Sequence, residues 1–150
     1  MPEDRAALLD HFHHMRAALL AAIDGLSDDL MSEPSLDGWS LKDHLLHLAA
    51  WDELRAGEVA RISAGHASAW RMTEEQVVSF NDVVYALRRG VSAQQARWEI
   101  ESSHRRLLDA IAAAAPRGLD PSLYGEAALR STHEAQHTAW IARWRTDRGL

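Results

Sequence analysis

The sequence predicts an all-α chain folded as a four-helix bundle. Three observations carry that expectation: long segments whose apolar residues recur every three or four positions, clusters of Asp, Ser, Pro and Gly between them, and no alternating β-type pattern. The first segment, about Glu3 to Leu26, carries the stripe Leu8, Phe12, Met15, Leu19, Ile23, Leu26. The run SDDLMSEPSLDGWS follows and reads as a loop. Ser40 is placed as an N-cap, with Asp43 three residues on forming an imperfect capping box. It opens a second helix, about Leu41 to Ser63, with Leu45, Leu48, Asp52, Arg55, Val59 and Ile62 on one side. GHASAWRMT then connects to a short helix from about Glu74 to Arg89. Gly90 interrupts it, and Ser92 caps a long helix to about Ala115, with Trp98, Ile100, His104, Leu107 and Ile111 expected inward. Pro116, Gly118 and Pro121 end that helix. The last helix is expected from about Ser122 to Arg145, with the stripe Leu129, His133, His137, Trp140, Ile141, Trp144.

A chain of 150 residues can bury a real core, so residues 1–150 are read as one domain. There is no cysteine, which excludes disulfides, thiolate ligands and a cysteine nucleophile; any metal must be held by His, Asp or Glu. The net charge is −6 and no long basic stripe forms, which argues against nucleic acid as a partner. MPEDRAALLD begins acidic and lacks a long apolar run, so no signal peptide is expected. No apolar stretch approaches the roughly 20 residues of a membrane span. The expected setting is cytoplasmic, without a membrane partner.

STHEAQHTAW, residues 131–140, contains the H-E-x-x-H pattern that many zinc proteases carry on a helix. Such a protease needs a third ligand downstream and a substrate-binding strand. After His137 only TAWIARWRTDRGL remains, without His or Glu, and no strand is predicted, so the protease reading is set aside. The pair itself remains. Residues i and i+4 stand about 40° apart around a helix, and this pair lies within the apolar stripe, where a buried imidazole needs a partner. A divalent metal is one partner and a hydrogen bond within the core is another; spacing does not choose between them. His44 and His47 add two imidazoles on the second helix, about 60° apart. Spacing alone favours His44 as the inward-facing one.

Trp39-Ser40, five residues, Leu46-His47-Leu48 and then Trp51, with His133-x-x-x-His137 followed by Ile141 and Trp144, resembles the DinB-like superfamily. The resemblance implies a four-helix bundle with a metal site of one histidine from the second helix and two from the last: His47, His133 and His137. The family usually has an aliphatic residue where this chain has His44. The run SFNDVVYALRRGVSAQQARWEIESSHRRLLDAI is similar to the branch that includes the DfsB-like and colibactin self-protection proteins.

The resemblance implies Zn²⁺ or Ni²⁺ and, in some members, a low-molecular-weight thiol used in transfer or isomerisation; the self-protection branch hydrolyses a strained electrophile. The expected function is a metal-dependent thiol S-transferase or hydrolase acting on a small electrophilic substrate in detoxification or stress response. The alternative is a non-catalytic bundle that binds or sequesters a small molecule, its pocket built from Trp39, Trp51, Trp70 or Trp98, with His47 only hydrogen-bonding. A third reading is an interaction protein with tryptophans at a dimer face. Related bundles often pair, so a homodimer is expected. Around the site, His104 is read as a fourth ligand, a general acid or base, or a core histidine bonded to a carboxylate. Glu134 is expected as a solvated surface carboxylate, with a supporting role behind a ligand as the alternative. Asp52 and Glu58 are candidate acceptors for a ligand N–H, and Asn81 either contacts ligand or caps a helix. His13 and His14 read as solvated and His66 as a loop residue.

Overall fold

The computed structural model describes all 150 residues and contains six α-helices: α1 (Arg5–Ile23), α2 (Asp28–Ser32), α3 (Leu41–Ser63), α4 (Glu74–Arg88), α5 (Ala93–Ala113) and α6 (His133–Asp147). The four long amphipathic segments α1, α3, α5 and α6 form the bundle. α3 packs most broadly on α5 and α1 on α6, while α1–α5 and α3–α6 contacts close the ring. α4 leans on α3 from outside and has no fully buried residue. No helix is long and apolar enough to cross a membrane.

The start of α3 follows from its cap. The Ser40 side chain accepts from the Asp43 N–H at 3.3 Å and the Asp43 carboxylate accepts from the Ser40 N–H at 2.8 Å, so Asp completes the box despite being shorter than Glu. Two apolar clusters fill the bundle. One gathers around Leu19, Leu45, Ile100 and Ile141, the other around Phe12, Ile62, Leu107 and Leu129. Each such side chain contributes about 1.5–3 kcal/mol on burial, so these clusters drive the packing of the helices. Between the clusters, each bundle helix turns a polar residue inward: Arg16 on α1, Asp52 and Arg55 on α3, Ser103 on α5, and Glu134 and His137 on α6.

Three expectations are corrected. The segment before α3 is not a plain loop: it holds α2, capped by Ser27, and a two-residue hairpin. Leu36 and Trp39 exchange both backbone hydrogen bonds at 3.0 and 3.2 Å. Asp37 and Gly38 between them have φ of 56° and 82°, the left-handed pair that a type I′ turn requires. The last helix begins at His133, not near Ser122. The intervening chain makes two 3₁₀ turns, Pro116–Leu119 and Pro121–Leu123, and then an irregular, bent stretch that buries Tyr124, Ala127 and Leu129. Long-range partners hold that stretch out of the helix: Glu126 N–H donates to the Trp70 carbonyl at 3.0 Å, and Arg55 Nε donates to the Ala128 carbonyl at 2.6 Å. Gly125 permits the approach, since a Cβ there would come within 2.2 Å of the Trp70 carbonyl oxygen. Finally, Trp98 is exposed rather than inward, because α5 presents Ile100, Ser103, Leu107 and Ile111 to the core.

Candidate metal centre

His47 sits in the second turn of α3, where Leu45, Leu46 and Leu48 are all buried, so its ring is carried into the bundle. His133 opens α6 and His137 follows one turn later on the same face. The three rings meet where α3 and α6 approach. His133 Nε2 lies 3.2 Å from His47 Nε2 and 3.0 Å from His137 Nε2. A tetrahedral ion with Zn–N bonds of about 2.0–2.1 Å needs donors separated by about 3.3 Å, so this group of three can hold a metal ion. The donor set is also chemically suited. Burial, reinforced by the neighbouring histidines, pushes His47 down to about 3 and His137 to about 2. Burial and then Arg55 lower His133, partly opposed by Asp52. All three imidazoles are therefore neutral at pH 7 and offer lone pairs to one point.

Of the two histidines on α3, both are buried, and the structure assigns them different places. His47 joins the triad. His44 lies behind His137, with Nδ1 2.9 Å from His137 Nδ1. Burial lowers the His44 pKa, opposed in part by the Leu36 backbone, Asp43 and Asp37; its Nε2 nevertheless finds no partner in hydrogen-bond geometry, and neither does His47 Nδ1.

The carboxylates near the site face elsewhere. Glu134 is buried, not solvated: Arg16 donates to it through Nε at 3.1 Å and through a terminal nitrogen at 2.7 Å. Burial raises the Glu134 pKa, and Arg16 opposes the shift. Asp52 accepts from Arg16 at 2.7 Å and from Ser103 Oγ at 3.0 Å, so it holds α1 and α5 rather than a ligand histidine. Glu58 is wholly buried, pairs with Arg61 within α3, and ties down the following loop through Ser68 and the Ala69 N–H. His104 lines a separate cavity with Arg16, Glu101 and Arg105, and does not reach the triad. Burial, then Arg16, push it down to about 4. His13, His14 and His66 are exposed. His11, which carried no pattern in the sequence, donates through Nε2 to the Ser131 carbonyl, 2.7 Å away, and so fixes the chain entering α6.

An open cavity of about 370 Å³ lies over the histidines, flanked by Trp39, Val78, Asn81 and Trp140, with Asp37 and Asp82 at its edge. The hairpin delivers Trp39, which stacks on Tyr85 at 5.0 Å between ring centres, meets His47 edge-on and lies tilted against His44. Asn81 lies inside α4, so Thr73 and not Asn81 caps that helix; its Oδ1 accepts from Trp51 Nε1 at 2.9 Å. Of the tryptophans suggested for a pocket, Trp39 lines this cavity and Trp51 an adjoining one that shares Asn81 and His133; Trp70 packs against Phe80.

The DinB superfamily profile matches residues 11–141, a span that reaches from α1 into α6 and includes all three converging histidines. The crystal structure of an uncharacterised protein from Escherichia coli UTI89 has the same fold, with a TM-score of 0.81 over 100% of this chain and 97% of that chain, at 15% sequence identity. No curated protein matches the sequence. A profile match across this much of the chain, on a helical bundle with its histidines gathered at one point, makes the protein a member of the DinB superfamily.

Proposed function

We propose that His47, His133 and His137 hold one divalent ion, Zn²⁺ or Ni²⁺, and that the protein acts on a small electrophilic molecule, as a thiol S-transferase or a hydrolase, in detoxification or stress response. The observation that carries this reading is the convergence of three neutral imidazole Nε2 atoms with no carboxylate among them. When bound, such an ion supplies Lewis acidity, lowering the pKa of a water to near 7 or holding a thiol as thiolate. Three uncharged ligands leave its positive charge uncompensated, which favours an anionic nucleophile at the open position.

The rest of the site is built to receive an organic molecule. Trp39 and Trp140 give the cavity flat apolar walls, and Asn81, whose oxygen is engaged by Trp51, keeps its amide nitrogen to donate to a substrate oxygen. Asp37 and Asp82 make the rim negative, which suits a neutral or cationic electrophile better than an anionic one. The likeness of residues 79–111 to the DfsB-like and colibactin self-protection branch supports the hydrolase form. The aromatic walls also suit a bundle that binds a small molecule without turnover.

One experiment separates these readings. The Zn²⁺- or Ni²⁺-loaded protein is incubated with a panel of strained-ring and alkyl electrophiles, with and without low-molecular-weight thiols, and product is counted per protein. Multiple turnovers by wild type, lost in His137→Ala, support the enzyme. Protection that saturates at one equivalent without product favours sequestration, and turnover that survives in His137→Ala contradicts a role for the metal site.

A further inference from the structure

This inference rests on the three-histidine metal reading above and concerns a fourth histidine that is not among the converging donors. His137 has two close nitrogen neighbours: its Nε2 lies 3.0 Å from His133 Nε2, and its Nδ1 lies 2.9 Å from His44 Nδ1. The two nitrogens of one imidazole point in different directions. A His137 that commits Nε2 to an ion at the triad therefore turns Nδ1 toward His44. Two nitrogens 2.9 Å apart share one proton. With the Nε2 lone pair committed, neutral His137 carries its proton on Nδ1, so His137 is the donor and His44 Nδ1 the acceptor. We infer that His44 is a positioning residue for the metal centre: by accepting this hydrogen bond it selects the tautomer and ring orientation in which His137 Nε2 faces the ion.

Its surroundings support that role over a purely structural one. His44 lies on the apolar face of α3 among buried Leu41, Leu45 and Leu48, and its Nε2 is buried without a partner. A leucine would fill such a place without an unsatisfied polar atom. Beside the Leu36 backbone, the polar contact the ring makes in hydrogen-bond geometry is with His137, and Trp39 packs against it at 5.2 Å between ring centres, holding its angle. His44 is not placed as a ligand, because it meets His137 on the nitrogen facing away from the triad. A metal-bound histidine commonly donates its outer N–H to a carboxylate or carbonyl. Here the acceptor is a neutral imidazole, which lends less negative charge to the ligand and leaves the ion more electrophilic.

The test compares full-length wild type, His44→Leu, His44→Met and His44→Asn by Zn²⁺ titration against a chromophoric chelator, with the Co²⁺ absorption spectrum and the metal-free melting temperature of each. Asn can place its side-chain oxygen near the position of His44 Nδ1, whereas Leu and Met cannot accept a hydrogen bond. The expected result is Zn²⁺ affinity weakened by about 10–100-fold in the Leu and Met variants, largely recovered in His44→Asn, with Co²⁺ bands of unchanged intensity and no loss of metal-free melting temperature. Wild-type affinity in a folded apolar variant overturns the inference, as does failure of Asn to recover it. A change of Co²⁺ coordination in every variant makes His44 a ligand and overturns it too. Wild type that binds no Zn²⁺ overturns the three-histidine reading itself, whereas wild-type binding that His44→Leu leaves intact overturns this inference alone.

Discussion

Two polar clusters lie side by side in the bundle, and α3 and α6 contribute residues to both. One is the histidine group, His47, His133 and His137. The other joins Arg16 to Asp52 and Glu134, with Arg55 beside it. On α6 the two are adjacent in sequence, since His133 belongs to one and Glu134 to the other. They differ in how their polar atoms are matched. In the ion-pair cluster two guanidinium groups face two carboxylates, and Ser103 and the Ile100 carbonyl take further bonds. That cluster is complete as it stands and ties four helices together. In the histidine group like meets like: three nitrogens with the same chemistry point at one another, and an Nδ1 is left unpaired. Matched buried charge reads as structure, and converging unmatched lone pairs read as a site for something the chain does not itself provide.

The largest effect that sharpens this contrast comes from breaking the matched cluster. Arg16→Met leaves Asp52 and Glu134 buried without their shared cation, and is expected to destabilise the protein by about 3–5 kcal/mol in urea unfolding. His47→Leu, which removes an unmatched group, is expected to leave metal-free stability unchanged or improved. If both variants lose comparable stability, the distinction between the clusters fails. Next in size is the metal itself. Zn²⁺ at 100 times its dissociation constant stabilises by about 2.7 kcal/mol, read as a rise in melting temperature that His133→Ala abolishes.

A pH effect follows from the same asymmetry. Unfolded histidines take up protons near pH 6.5, whereas folded His47 and His137 do so only near 3 and 2. Below about pH 6.5 the unfolded chain therefore binds more protons, and metal-free stability falls as the pH drops toward those values. The fall is expected to be shallower in His47→Leu, as unfolding at pH 7 and pH 5 would show. The smallest effect is expected at Trp98, which is exposed on α5 despite its place in the apolar pattern: Trp98→Ala should change stability by no more than about 0.5 kcal/mol.

The sequence made the two clusters legible to different degrees, and the reason is range. The ends of α3 and the i, i+4 pair on α6 are written in local spacing and capping, so both could be read directly. Glu134 could not, because its partner Arg16 is 118 residues away and nothing near Glu134 distinguishes a buried carboxylate from a solvated one. The start of α6 failed for the same cause: Tyr124 to Leu129 has helix-compatible apolar spacing, but Trp70 and Arg55 take its backbone groups from a distance. His44 and His47 show a finer limit. Spacing favoured one as inward, yet both are buried, and what separates them is which nitrogen of which partner each one meets. The hairpin before α3, by contrast, does have a local signal, for Asp37-Gly38 is a mark of a tight turn even between helices.

The central claim is that the histidine group, unlike the ion-pair cluster beside it, is a metal site. The most direct measurement is metal content of untagged protein after exposure to Zn²⁺ or Ni²⁺ and desalting, for wild type and for His47→Ala, His133→Ala and His137→Ala. The account predicts about one equivalent in wild type and loss in each of the three variants. Wild type that retains no metal, or variants that retain as much as wild type, would contradict it.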